Sequence, residues 1–183
     1  MSHLEKLWQI APPPKKPKGV GSLAGWLHLE AQLGFELPAH YKEFIASYGN
    51  GRFAEYFGVV NPFHTAANDI NFSTFVQRRT NGVRLAQSSY PDYAVALPVY
   101  PNKGGLFPWG YTDNGDTMFW LTEGDNSAWP IICVEIGYTN NLDRFELTIP
   151  DFIEQWLTQQ ISVPTLTPSD FFPLRKPGFV SSH

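Results

Sequence analysis

Asp113 and Asp116 are the side chains that residue type and spacing place best to do chemistry in this sequence. Two carboxylates that converge on one site can serve glycoside hydrolysis or a divalent-metal nuclease. These two flank a short Asn-Gly pair, however, and aspartates beside a tight turn commonly bond to the backbone of that turn. The placement therefore favours a polar surface, either solvated or facing a partner, over a catalytic pair.

Other reactive residue types are few and isolated. Cys133 is the only cysteine and lies in the apolar run from Ile131 to Val134, where a free cysteine is usually a packing residue and not a nucleophile. The histidines are scattered, with none three or four residues from another as in a helical ligand pair, at His3, His28, His40, His64 and His183. Phosphate-loop, dinucleotide-binding and nucleophile-elbow motifs are absent. We therefore expect no catalytic residues, no metal site and no cofactor.

Acidic residues are concentrated between positions 113 and 154. This segment has nine acids and one base, Arg144, whereas a nucleic-acid-binding surface needs a basic footprint. Clustered carboxylates repel one another unless something positive binds them, so we expect a basic protein partner and no direct nucleic-acid binding. The predicted partner-binding residues are Asp113, Asp116, Trp120, Glu123, Asp125, Glu135 and Glu146. An alternative binding face is helical and carries His28, Glu30 and Lys42.

Composition limits the class of protein. The chain has 183 residues, of which 43% are hydrophobic and 15% aromatic, enough for one globular domain without a disulfide or metal. A single cysteine fits a reducing compartment, and residues 1–11 lack the apolar core of a signal peptide. No apolar run approaches the length of a membrane span. These features predict one soluble, cytoplasmic domain without membrane association.

The elements of the first half are predicted from prolines and apolar periodicity. Residues 1–21 form a predicted proline-rich arm, because the prolines after Ala11 exclude helix and central strand. A solvated polyproline-like segment is favoured there over a nucleic-acid or membrane contact for its lysines. Periodicity predicts helices at 22–33, 39–48 and 72–86, with a strand at 53–60. The buried stripe of the first helix is predicted to hold Leu23, Trp26, Leu27 and Leu33.

The second half is predicted to be a meander of strands at 109–112, 117–121, 131–136 and 144–149. Asn114 and Gly115 indicate a two-residue hairpin turn with Gly115 at positive φ. Strand alternation predicts inward-facing Phe119, Leu121, Ile132, Val134, Ile136, Phe145, Leu147 and Ile149. The outward set is Trp120, Cys133, Glu135, Arg144 and Glu146. A last helix begins at Pro150, and residues 161–183 form a tail packed on or trailing from the domain.

The predicted order of elements gives an α+β fold, with an antiparallel sheet of about four to six strands backed by helices. Five motifs follow one another along the chain: the run from Leu37 to Gly51, then Pro108-Trp109-Gly110, Asn114-Gly115-Asp116, Phe119-Trp120 and Trp129-Pro130. In their order and spacing they resemble the SMI1/KNR4 family of the SUKH superfamily. The resemblance covers about residues 22–160 and implies a single SUKH-like domain there.

The resemblance also implies a function. For most bacterial members it implies a non-enzymatic immunity protein that binds and neutralises a cognate toxin, often a nuclease. For fungal members it implies a regulatory or scaffold module that binds several proteins. An acidic domain can inhibit a nuclease by presenting carboxylates in place of phosphates, which makes the immunity role the leading hypothesis. Trp109, Gly110, Gly115 and Trp129 are expected to hold the fold without touching a ligand.

Overall fold

Five α-helices and seven β-strands make up the described part of the chain, residues 3–64, 71–166 and 177–182 of a computed structural model. The helices are α1 (His3–Ile10), α2 (Leu23–Leu33), α3 (Ala39–Tyr48), α4 (Phe72–Ser89) and α5 (Ile149–Leu157), with a 3₁₀ turn η1 (Asn126–Ala128). The strands are β1 (Gly51–Phe53), β2 (Phe57–Val59), β3 (Leu106–Thr112), β4 (Thr117–Leu121), β5 (Ile131–Val134), β6 (Leu142–Phe145) and β7 (Phe179–Ser181). None of these helices combines the length and apolar content needed to cross a membrane.

The strands form one antiparallel sheet in the order β6-β5-β4-β3-β2-β1-β7. This confirms the predicted α+β class. The sheet has seven strands, more than the sequence predicts, for two reasons. One additional strand, β7, lies in the predicted tail, and the other arises because the predicted strand 53–60 is divided into β1 and β2.

The division of residues 53–60 is caused by a tight turn. Tyr56 N donates to Phe53 O at 2.9 Å, and the two residues between them, Ala54 and Glu55, have φ of 49° and 53°. Such turns normally carry Asn or Gly, which tolerate positive φ. Because neither alanine nor glutamate signals this conformation, the prediction of one continuous strand is wrong.

Both faces of the central strands are buried. Met118 and Trp120 of β4 belong to a large aromatic cluster, whereas Phe119 and Leu121 between them belong to a smaller aliphatic one. The predicted inward position of Phe119 and Leu121 is therefore correct. The prediction that Trp120 and Cys133 lie on a face away from the core is wrong, because both side chains have 0% exposure.

The last strand of the meander is displaced from its predicted position. β6 ends at Phe145, so Ile149 is the first residue of α5 instead of a strand residue, although it is buried.

The preceding strand, β5, is shorter than predicted. It ends at Val134, and Ile136 beyond it is 61% exposed. The predicted inward orientation of Ile136 is therefore wrong.

The helices match their predicted ranges more closely than their predicted faces. Ser22 caps α2 by accepting from Gly25 N, and Gly34 ends it in the left-handed region, φ 80°. The buried face of α2 consists of Trp26 and Glu30, whereas Leu23 and Leu27 are 77% and 59% exposed. The predicted stripe is therefore wrong at Leu23 and Leu27, whereas Trp26 is buried and Leu33 packs partly buried against the core.

The N-terminal segment differs from a simple arm. α1 lies within residues 1–21 and packs against α5, with Leu4 and Leu7 in the core. Ala11 after it is fully buried, and its carbonyl accepts from Tyr48 Oη at 2.7 Å. The proline-rich residues that follow contain no helix or strand. Eight residues are too few for periodicity to identify a helix such as α1 reliably.

The C-terminal segment also contacts the domain where it is described. Val163 and Leu166 are buried, and Tyr56 Oη donates to Leu166 O at 2.9 Å. Beyond the residues outside the described ranges, β7 pairs with β1 and forms one edge of the sheet. The tail therefore covers the β1 edge, which would otherwise present unpaired backbone groups.

Gly49→Ala is expected to destabilise the protein more than Gly34→Ala. Both glycines follow a helix and have positive φ, 66° and 80°. A Cβ on Gly49 would lie 2.3 Å from Lys18 O, whereas a Cβ on Gly34 would meet no atom within 4 Å. Gly34 has ψ of 12° in the left-handed region, whereas Gly49 has ψ of −124°, which alanine tolerates less well. This difference and the backbone overlap together should make the loss at Gly49 about 2 kcal/mol larger. Urea unfolding of the two variants measures the difference, and equal losses would show that residues near Lys18 do not pack on α3.

Candidate functional site

The acidic residues 113–154 do not form one surface. β4 runs from Thr117 to Leu121, so the loops before and after it are separated by about 17 Å of extended chain. We call the two groups the hairpin end and the distal end. The hairpin end holds Asp113, Asp116 and Glu135, and the distal end holds Glu123, Asp125 and Glu146.

Strand pairing assigns Glu135 and Glu146 to these ends. Thr117 of β4 pairs with Val134 of β5, which places Glu135 beside the β3–β4 loop. Ile131 at the other end of β5 pairs with Phe145 of β6, which places Glu146 beside the β4–β5 loop. The predicted site residues are thus divided between opposite ends of the sheet.

The two aspartates of the hairpin end have separate structural partners. Asp113 Oδ1 accepts from Arg52 Nη1 at 2.7 Å. Asp116 is 5% exposed, and its carboxylate accepts from Thr112 Oγ1 at 2.6 Å and from Ile136 N at 3.2 Å. Asp116 therefore ties the hairpin to the end of β5 and is not available to a partner.

The turn itself differs from the predicted two-residue form. Gly115 N donates to Thr112 O, and Thr112 N donates to Asp116 O, which encloses a three-residue loop. This is the arrangement of a type I turn followed by a glycine bulge. Gly115 has φ of 95°, so its predicted positive φ is confirmed.

The distal end is more open to solvent. Glu123 and Asp125 are exposed, and the Glu146 side chain is 65% exposed while accepting from Arg144 Nε at 2.9 Å. Asp125 accepts from the hydroxyl and N–H of Ser127, and these hydrogen bonds lower the pKa of Asp125 below its usual value. Asp125 therefore keeps its negative charge in mildly acidic solution.

Glu135 and Trp120 are less available than the sequence predicts. Glu135 is half-buried and accepts from Thr139 Oγ1. Trp120 stacks on Trp109 with ring centres 5.7 Å apart and meets Tyr41 edge-on at 5.3 Å. A side chain enclosed in this way belongs to the core, so the assignment of Trp120 to a partner surface is corrected.

Cys133 and His3, a potential nucleophile and a potential base, have contacts that stabilise the fold. Burial raises the pKa of the Cys133 thiol well above its usual value, which leaves it a protonated packing group. His3 Nδ1 lies 2.5 Å from Asp151 Oδ2, but the same oxygen accepts from Thr148 Oγ1 at the start of α5. This contact links α1 to α5. No three His, Cys, Asp or Glu side chains in the described ranges are grouped as a metal ion would need.

An ion pair between Glu30 and Lys42 makes both residues of the alternative helical face less available to a partner. Glu30 Oε1 accepts from Lys42 Nζ at 2.6 Å and from Leu37 N at 2.8 Å. Glu30 is 8% exposed, so it joins α2 to α3 and does not face outward. Of the three predicted residues, His28 alone is exposed.

Sequence reasoning missed a groove between α2 and α4. It contains Arg84 and ends at Tyr100 and Pro101. The available signal was the composition of α4, which has three arginines and no acid. The loop that carries Pro101 continues to Gly104, whose Cβ position would lie 3.3 Å from Glu123 Cγ. The groove therefore adjoins the distal end.

Comparison with known proteins adds one finding. Residues 26–154 match the family model SUKH_6, described as SMI1-KNR4 cell-wall. The matched span runs from α2 into α5 and includes both ends of the sheet. No significant match to a curated protein or to a solved structure was found.

Proposed function

The chain belongs to the SMI1-KNR4 cell-wall family, SUKH_6, and on this basis we propose that it is a non-enzymatic immunity protein that binds and neutralises a cognate toxin in the cytoplasm. The observation that carries the proposal is the family match over residues 26–154. The toxin itself is a basic protein in this proposal, and a nuclease would fit because its substrate is anionic.

The surroundings of the reactive side chains support a binding role. Asp113 is paired with Arg52, Asp116 holds the β3–β4 hairpin, and Cys133 is enclosed by the core. Catalysis needs a nucleophile, a base and an orienting group around one open site. Asp113 and Asp116 instead stabilise the β3–β4 hairpin and its neighbours, which favours a protein that acts by binding a partner at its surface.

The distal end is the acidic contact surface that we propose. Glu123, Asp125 and Glu146 project from loops and strand ends at one end of the sheet. Exposed charges of one sign raise the rate of association with a partner of the opposite sign. We therefore assign the electrostatic part of toxin recognition to these three residues.

A regulatory or scaffold module is the second candidate. The description of the family as cell-wall favours it, since it refers to a cellular process rather than to a toxin. The two functions differ in stoichiometry. An immunity protein should bind one partner one-to-one, whereas a scaffold should bind several unrelated proteins.

Co-expression with the product of the neighbouring open reading frame tests the immunity function. We expect the full chain to restore growth of cells that express this toxin and to elute with it as a one-to-one complex. Charge reversal at Glu123 and Glu146 should slow association about tenfold at low salt, and added salt should reduce the difference by screening. Surface plasmon resonance measures the rates.

Asp92→Lys is the control for this experiment, because Asp92 is also exposed but lies next to Tyr93, whose carbonyl accepts from Asn140 N in the β5–β6 loop, away from the distal end. It should leave the association rate near that of the parent. Growth arrest despite expression of the folded chain would contradict the immunity function. Equal rates for the distal-end and Asp92 variants would contradict the proposed contact surface.

A further inference from the structure

A groove of about 750 Å³ lies between α2, α4 and the turn at Tyr100–Pro101. Its apolar lining comes from Leu29 and Leu33 of α2 and from Phe72 and Val76 of α4. Polar side chains line the groove as well, and clefts of this size are typical binding sites. The groove can therefore hold several side chains of a bound segment.

The polar groups of the groove lie mainly along one helix. Gln77, Asn81 and Arg84 of α4 contribute to the lining, together with Gln32 of α2. Arg84 Nη1 donates to Asn81 Oδ1 at 3.0 Å, and Arg84 Nη2 donates to Tyr100 O. A guanidinium has five N–H donors in a planar fork, so these contacts fix its orientation and leave donors for a ligand.

The charge of the groove has one sign. Its lining includes Arg84 and no carboxylate. Arg78 on the same helix is exposed and adds to the positive potential, whereas Arg79 donates to Gly115 O and lies over the Phe75 ring. The complementary ligand group is a carboxylate, which the planar fork of an arginine binds with two parallel hydrogen bonds.

The length of the groove defines the size of its ligand. The lining residues of α4 run from Phe72 to Arg84, about 18 Å along a helix axis. An extended chain covers that distance with about five residues. The amides of Gln77 and Asn81 can serve the backbone of such a segment, while the apolar lining takes its side chains.

We propose that the groove between α2 and α4 binds a short toxin segment that carries apolar side chains and a carboxylate directed at Arg84. This inference rests on the proposed immunity function and adds a second contact of opposite polarity beside the distal end. The two contacts together would select a toxin surface with an acidic segment next to basic residues. Such alternation gives specificity beyond what net charge provides.

Gln77→Trp and Arg84→Gln test the groove in the full chain. Gln77 is exposed, so a tryptophan there fills the groove without disturbing the core. Arg84→Gln removes the charge. Lys16→Gln is the charge-matched control, because Lys16 is exposed and lies near Ser181 of β7, outside both the groove and the distal end. Thermal melting should first show that all three variants fold.

The first probe is a phage-displayed library of random 12-residue peptides, selected on the full chain. We expect selected peptides to carry Asp or Glu next to Leu, Ile or Phe. Gln77→Trp and Arg84→Gln should weaken their binding at least tenfold, and Lys16→Gln should leave it unchanged. Selection of no peptide, of peptides without a carboxylate, or of peptides that bind Gln77→Trp normally would overturn the proposal.

Titration with the co-purified toxin separates this proposal from the immunity function. A tenfold loss with Gln77→Trp supports the groove. Normal toxin binding by Gln77→Trp would remove the groove proposal and leave the immunity function intact. Selection of carboxylate-bearing peptides without any toxin binding would contradict the immunity function and the toxin as the source of the segment, and would leave the groove as a peptide-binding site. Dimerisation of the parent that Gln77→Trp abolishes would assign the groove to a second copy of this chain and so overturn the toxin segment as its occupant.

Discussion

Trp120→Ala is expected to lower the free energy of unfolding by about 4 kcal/mol, as truncation of a fully buried aromatic side chain does. Trp120 has 0% exposure and contacts aromatic rings of β3 and α3, including Trp109 and Tyr41. The cavity would therefore open between the sheet and the helices packed on it. Urea denaturation of the full chain measures the loss.

Trp8→Ala is the matched control, because Trp8 on α1 is 38% exposed and its truncation leaves no enclosed cavity. It should cost less than half as much.

The indole N–H of Trp120 has no hydrogen-bond partner among the described residues, so Trp120→Phe should fold and bind the toxin normally. Reduced binding by a stable Trp120→Phe variant would restore the surface role that burial argues against.

Elements with a local signal were predictable. The spacing of Tyr41, Phe44, Ile45 and Tyr48 identifies α3 to the residue, and all four are buried. The Asn114-Gly115 pair identifies the β3–β4 hairpin, because the turn needs positive φ at the glycine. In both cases a few adjacent residues determine the backbone, so the sequence contains the information directly.

Features that depend on tertiary packing were not predictable in the same way. Strand alternation assumes one solvated face, but helices and loops bury both faces of β4 and β5. Pro108 indicates an edge or a bulge, and β3 indeed has an irregularity between Pro108 and Gly110. The strand nevertheless continues on both sides of it, which the proline alone does not reveal.

The candidate site shows the same distinction. The sequence shows how many acids lie between 113 and 154, but strand pairing decides that Asp116 and Glu123 lie at opposite ends of the sheet. Their partners come from distant positions, as with Arg52 for Asp113. Charge clustering along a chain therefore overestimates charge clustering in space whenever the acids flank both ends of a strand.

Acidification is expected to destabilise the protein through His40. The pKa of His40 is lowered to about 4, mainly by burial and also by the nearby His3, while Asp151 opposes the shift. The unfolded chain has a histidine pKa near 6.5. Between these values the unfolded state binds a proton that the native state does not, so stability is complete above about pH 6.5 and falls as the pH falls towards 4. The full loss from this group is about 3 kcal/mol.

Urea unfolding of the parent, His40→Gln and His28→Gln between pH 7.5 and 4 measures this contribution. Carboxylates titrate in all three proteins, so the difference between variants isolates the histidine. His28 is exposed on α2, and His28→Gln is the control for the loss of a histidine from the surface. His40→Gln should flatten the decrease between pH 6.5 and 4, because the unfolded state then has no additional proton to bind at that position. An equal decrease in the parent and in His40→Gln would show that His40 titrates as an exposed histidine and that α3 does not bury it against Trp120.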